Sequence, residues 1–154
     1  MRFLCDYMLL GVAHWLRVAG YDTACAQKKQ PDRDVLAWAL AEDRILLTCD
    51  RDLLEFRDRG QRLLYMQTNQ IERCAPLLVR EFGVDWLHAP LTRCLKCNLA
   101  LEVANDDQRA VVPPEALAHG TEVSTCVGCG KVFWGGSHAD RMRGKLRAFA
   151  ARSA

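Results

Sequence analysis

The stretch Arg44-Ile45-Leu46-Leu47-Thr48-Cys49-Asp50-Arg51-Asp52-Leu53-Leu54 decides the fold. Ile45 to Thr48 is a short continuous apolar run. Such a run suits a strand buried on both faces, as in a parallel sheet covered by helices. Asp50 then opens a short helix that carries Leu53 and Leu54 and is expected to end near Gly60.

The same alternation extends in both directions. Upstream, Phe3-Leu4-Cys5 is a strand that stops at Asp6, and Leu9, Val12, Ala13 and Leu16 follow helical spacing until Gly20. Tyr21 to Cys25 reads as a second strand. Lys28 to Pro31 reads as a loop, and Asp32 opens a helix with Val35, Leu36, Ala39 and Leu40. Downstream, Arg62 to Met66 is a strand, and Ile71, Ala75, Leu78 and Phe82 mark a helix ended by Gly83. Strands alternating with helices predict a three-layer α/β domain with a parallel sheet over residues 1–87.

Residues 88–154 look different, with little apolar periodicity and the pair Pro113-Pro114. This segment is expected to bury little core of its own and to need a metal. It carries two Cys-x-x-Cys pairs, Cys94/Cys97 and Cys126/Cys129, with 28 residues between them. Two intervening residues let both sulfurs of a pair face one ion, and Gly130 frees the backbone to curl behind the second pair. Four thiolates make a closed tetrahedral zinc site, so a structural Zn²⁺ is expected on all four cysteines. His138 is a weaker candidate ligand. The remaining cysteines, Cys5, Cys25, Cys49 and Cys74, stand singly. Cys5 and Cys49 alternate away from the neighbouring acids and read as core thiols.

The acids are the second constellation. Asp6 and Asp50 follow the C-terminal ends of two strands, the edge where open α/β sheets place their sites. Asp32 and Asp34 begin a helix along that edge, and Asp52 follows Asp50 by two residues. Asp32 and Asp50 are also good N-caps, and Asp34 and Asp52 suit a helix first turn. Clustered carboxylates repel unless protonated or balanced by cations, and Mg²⁺ or Mn²⁺ is the natural partner of an all-oxygen site. The predicted ligands of that cation are Asp6, Asp50 and Asp52, and its chemistry would be water activation at a phosphate. His14 and Arg17 share a helix face and are candidates for phosphate contact, against the plainer reading of a solvated face.

Composition and charge limit the alternatives. Of 154 residues, 50% are hydrophobic and 26% charged, which excludes a disordered chain. No apolar run approaches a membrane span, and the start lacks a secretory pattern, so a cytoplasmic protein without membrane contact is expected. Net charge is only +2, but Arg141, Arg143, Lys145, Arg147 and Arg152 face a single acid, Asp140, in the tail. That tail is expected to be helical, with Arg143 and Arg147 on one face as a surface for an RNA backbone or simply for water.

Three blocks carry a family resemblance. Phe3 to Leu9 with Leu16 to Asp22, then Arg44 to Leu53, then the two cysteine pairs with the Val132-Phe133-Trp134 to His138 segment, resemble the Mut-seven C-terminal RNase domain family. The resemblance implies a PIN-like nuclease domain followed by a zinc ribbon. It also implies a divalent-metal ribonuclease acting on RNA, with Asp6, Asp32, Asp50 and Asp52 at its acidic positions. The chain departs from the family at Tyr7, His14 and Cys49. The competing readings are a non-catalytic RNA- or protein-binding module and a toxin-type PIN RNase with an antitoxin-like protein partner. The sequence leaves open whether the chain self-associates.

Overall fold

The computed structural model describes residues 1–55, 62–117 and 121–152. Its main sheet has four parallel strands in the order β2-β1-β3-β4: β1 (Arg2–Cys5), β2 (Asp22–Cys25), β3 (Ile45–Thr48) and β4 (Leu63–Tyr65). The sheet separates two apolar layers. Phe3, Cys5, Ile45 and Leu47 face one core, while Leu4 and Leu46 face the other. This is why β1 and β3 carry continuous apolar runs, Phe3–Cys5 and Ile45–Leu47: alternate side chains enter different cores.

Helices α1 (Leu10–Val18) and α4 (Ile71–Phe82) contribute Leu16 and Leu78 to the first layer. Helices α2 (Asp32–Ala41) and α3 (Asp52–Glu55) contribute Val35, Leu36, Ala39 and Leu53 to the second. The expected end of α3 near Gly60 lies outside the described residues. The first helical segment opens with a 3-10 turn, Tyr7–Leu9, before α1 begins. The cause is Asp6, whose side chain takes the backbone N–H groups of Met8 and Leu9 and so caps the turn. Asp32, which also read as a cap, instead lies inside the first turn of α2, behind Pro31.

A second, antiparallel sheet of three strands holds β5 (Glu102–Val103), β6 (Val123–Thr125) and β7 (Val132–Trp134). Two short helices, α5 (Asp106–Arg109) and α6 (Pro114–Leu117), lie between β5 and β6. The chain closes with α7 (Ser137–Ala151).

The expectation that residues beyond Ala89 bury little core needs correcting. Met142, Leu146 and Phe149 are spaced as i, i+4 and i+7, and all are buried in the first layer. Phe149 meets Trp86 and Trp15 edge-on, at 5.2 and 5.6 Å between ring centroids. Each such side chain stabilises by about 1.5–3 kcal/mol on burial. The basic residues between them hid this stripe.

The two sheets are joined by polar contacts as well. The Arg17 guanidinium donates to the carbonyls of Thr23, at 2.8 Å, and of Leu95, at 2.9 Å. Asn98 accepts from Thr23 N at 2.8 Å and donates to Asp22 at 2.6 Å, capping the free edge of β2. Gly20, with φ of 97°, turns α1 into β2 where a Cβ would collide with the Ala89 carbonyl.

Candidate functional site

The four paired cysteines converge. The sulfurs of Cys94, Cys97, Cys126 and Cys129 all lie within 4.8 Å of one another, and Cys94 and Cys129 are 3.8 Å apart. A tetrahedron with Zn–S bonds of about 2.3 Å has edges of about 3.8 Å, so the donor set fits Zn²⁺. Each pair sits on a tight turn. Cys97 N approaches the Cys94 sulfur at 3.4 Å, and Gly130 N closes on Cys126 O at 2.7 Å. The residue behind each pair is left-handed: Asn98 at φ 64° and Gly130 at φ 67°. Gly and Asn are the residues that tolerate this conformation best.

Two of the thiols are shifted in opposite directions. Burial opposes ionisation of Cys126, but N–H groups of Cys129 and Gly128 outweigh it and bring the thiol to about 7. Cys97 moves the other way, to about 12, through its bonds with Cys129, burial, and the sulfurs of Cys126 and Cys94. A bound dication would relieve the repulsion between neighbouring thiolates. His138 is exposed at the start of α7 and is not a member of this cluster.

The acidic edge is organised differently. Asp6 is 6% exposed, and its carboxylate accepts four hydrogen bonds. One oxygen takes Met8 N at 2.8 Å and Leu9 N at 3.1 Å; the other takes the Thr48 hydroxyl and Cys49 N, the latter at 2.6 Å. An ionised carboxylate offers about four acceptor positions, so Asp6 is saturated by the protein. Thr48 links the acids, because its hydroxyl also accepts from Asp50 N at 2.8 Å. Asp50 in turn accepts from Asp52 N at 3.0 Å.

Asp32 joins them electrostatically. Its carboxyl is raised above the ordinary value by burial, then by the charges of Asp50 and Asp52. The β3–α3 turn therefore places Asp50 and Asp52 near enough to the start of α2 for their charges to act on Asp32. Asp34 is exposed in the first turn of α2. Among the described residues, the thiols are the one group of three or more His, Cys, Asp or Glu donors close enough to share an ion.

The other candidate residues lie apart from this edge. Arg17 is turned toward the first cysteine pair, as described above. His14 is half-buried on α1, and burial, then Arg17 and His138, lower its imidazole below the ordinary value. Arg143 and Arg147 lie on α7, where Arg143 approaches Asp140 at 3.5 Å and Arg147 is exposed. Cys5 is fully buried, and Cys49 packs partly buried against the same core. Thr48 and Asn98 are the residues the sequence reading missed. The one available sign for Thr48 is a hydroxyl closing an apolar strand just ahead of an acid. For Asn98, it is a left-handed-tolerant residue directly after a cysteine pair.

A parallel α/β sheet with acids at its C-terminal edge is joined to a small antiparallel sheet beside four clustered cysteines, the fold class that the resemblance implied. The Mut7-C RNAse domain family matches residues 1–146, and the chain belongs to that family. A human relative, the exonuclease mut-7 homolog, is 23% identical over 223 residues, covering 95% of this chain. The chain spans only 26% of that protein's length. No solved structure matches it significantly. Among the described residues, no helix is long and apolar enough to cross a membrane.

Proposed function

We propose that this chain is a divalent-metal-dependent ribonuclease whose reaction takes place on the acidic edge of the parallel sheet. The observation that carries the reading is the coupling of Asp32 to Asp50 and Asp52 from separate segments, beside the buried Asp6. Unbalanced carboxylates on a catalytic edge favour a hard cation. Asp50 and Asp52, with Asp32 completing the set, are the oxygen donors that would hold Mg²⁺ or Mn²⁺, while Asp6, expected from the sequence as a ligand, anchors the edge through its four hydrogen bonds. A bound Mg²⁺ or Mn²⁺ supplies Lewis acidity and an activated water for phosphodiester hydrolysis.

Each residue of the chain then has a role. Thr48 fixes Asp6 relative to Asp50, so the two strand ends present their acids in register. Residues 1–87 form the catalytic unit, and residues 88–154 form the zinc ribbon and basic helix that assist RNA binding. Arg143 and Arg147 would meet phosphates beyond the cleavage point, with His14 on α1 a further candidate contact. Arg17 we assign to holding the ribbon, since its donors already serve main-chain carbonyls. We place this activity in the cytoplasm.

The test is cleavage of labelled structured and unstructured RNA by the zinc-loaded protein, with and without Mg²⁺ or Mn²⁺, beside Asp50→Asn. Chelators are avoided, because they would strip the ribbon as well. Metal-stimulated products from the wild type alone are expected; equal background from both proteins would end the reading. A second reading, a non-catalytic RNA-binding module, draws on the saturation of Asp6. It expects undiminished RNA binding with no cleavage in any metal.

A further inference from the structure

The acidic edge is flanked by two aromatic–cation pairs. On the β1 side, Tyr7 directly follows Asp6, is 44% exposed, and has the Lys28 ammonium 5.7 Å from its ring centroid. On the β4 side, the Arg51 guanidinium lies 5.7 Å from the Tyr65 ring centroid, and its Nε donates to the Tyr65 hydroxyl at 3.2 Å. Surface cation–π pairs are common, about one per 70–80 residues, so their number means little. Their positions mean more. Lys28, Tyr7, Arg51 and Tyr65 come from the C-terminal ends of β2, β1, β3 and β4 in turn. In that sheet order, Asp6, Asp50 and Asp52 fall between the two rings. With strands about 4.8 Å apart, β1 and β4 end about 10 Å from each other.

A groove of about 730 Å³ continues past Tyr65, lined in part by Gln67, Thr68, Arg73 and Arg80. Among the described residues, Arg73 has no ion-pair partner, and Arg80 pairs only with the exposed Glu81. The acids at the centre would repel a polyanion unless cations on either side offset them. Lys28, Arg51, Arg73 and Arg80 are the cations so placed.

We propose that Tyr7 and Tyr65 are stacking platforms for the bases on either side of the cleaved phosphate, making this a single-strand-selective RNA site that continues into the β4–α4 groove. The inference rests on the ribonuclease reading for its substrate. A nucleotide joins a π face to an anionic phosphate, which is the complement of a ring with a cation beside it. Paired bases keep their faces stacked within the helix, so such platforms reward only single strands. Stacking reads every base alike, so the site selects strandedness rather than sequence.

The test is fluorescence anisotropy of the zinc-loaded full chain with a labelled oligouridylate and with an RNA hairpin, in buffer without added divalent cations. The single strand should bind more tightly. Tyr7→Ala and Tyr65→Ala should each weaken it about tenfold, while Tyr7→Phe and Tyr65→Phe stay near wild type. Thermal melting confirms that the variants are folded, and a variant that is not is replaced by the Leu substitution at that position. Equal affinity for hairpin and single strand, or unchanged affinity in both Ala variants, would overturn the inference. So would Phe variants that lose as much as Ala. The two readings fail separately. Tyrosine-dependent binding without cleavage in Mg²⁺ or Mn²⁺ removes the nuclease reading, whereas cleavage with tyrosine-independent binding removes only the platforms.

Discussion

The thiol cluster and the acidic edge are both sets of four potential ligands, yet they are assembled in opposite ways. The thiols come from two local turns that bring four sulfurs within 4.8 Å of one another. The acids come from the end of β1, the start of α2 and the β3–α3 turn, and the protein itself already satisfies Asp6. A closed soft-ligand set is a structural device that completes the fold. An open set of carboxylates leaves charge at the sheet edge, which on the proposed reading a substrate and cation would balance. The contrast predicts that removing a thiol costs structure, whereas removing an outer carboxylate costs chemistry alone.

The largest expected effect tests the first half of that contrast. Cys126→Ser should take zinc from one ion per chain to none, read by elemental analysis. Structural zinc sites supply about 10–16 kcal/mol of apparent binding energy to folding, so the ribbon should lose its hydrogen-exchange protection. The loss should not stop there. Arg17 and Asn98 tie the first cysteine turn to β2, and α7 packs into the main core, so the melting temperature of the α/β part should fall too. A zinc-free variant that melts like the wild type would make the two halves independent.

These cross-links explain what the sequence made legible. The parallel sheet was readable because Ile45 to Thr48 is apolar on both faces, a local property. The four-thiol cluster was readable because two Cys-x-x-Cys turns encode it within a few residues each. The α7 stripe was not, since Met142, Leu146 and Phe149 are diluted by arginines and matter only once Trp15 and Trp86 are near. Arg17 was read toward phosphate because helix-face periodicity cannot say which distant carbonyls its guanidinium will meet. Asp6 looked least like a cap because it ends a strand, yet it caps the turn that follows while also binding Thr48 and Cys49. A single sequence shows which acids reach an edge, but not which are already occupied.

Asp6 supplies a second, intermediate effect that sharpens the contrast inside the acidic edge itself. An asparagine amide there would turn its NH₂ toward two donors, either Met8 and Leu9 or Thr48 and Cys49. Breaking charge-assisted bonds at a buried site costs about 1–3 kcal/mol. Asp6→Asn should therefore lower the denaturant midpoint measurably, while Asp50→Asn leaves it near wild type. The reverse order of stability would exchange their assignments as buried anchor and open ligand.

The smallest effect is expected at Asp32, and pH is the means of seeing it. Its carboxyl is raised in the folded chain, by burial and by Asp50 and Asp52. A carboxyl that holds its proton more tightly when folded favours the native state at low pH. That contribution is lost as pH rises through the raised native value. Asp32→Asn carries no such titration. Melting curves of wild type and variant should therefore coincide in acid and separate above the ordinary carboxylate range, with the variant the more stable. Asp32 is partly solvent-facing, so the separation should be smaller than the Asp6 effect. Added Mg²⁺ or Mn²⁺ should then raise the wild-type melting temperature and close the gap, since a ligand bound only by the native state stabilises it by mass action. Curves that run parallel at every pH would mean that the three carboxylates do not act on one another, and the acidic edge would lose its claim to a cation.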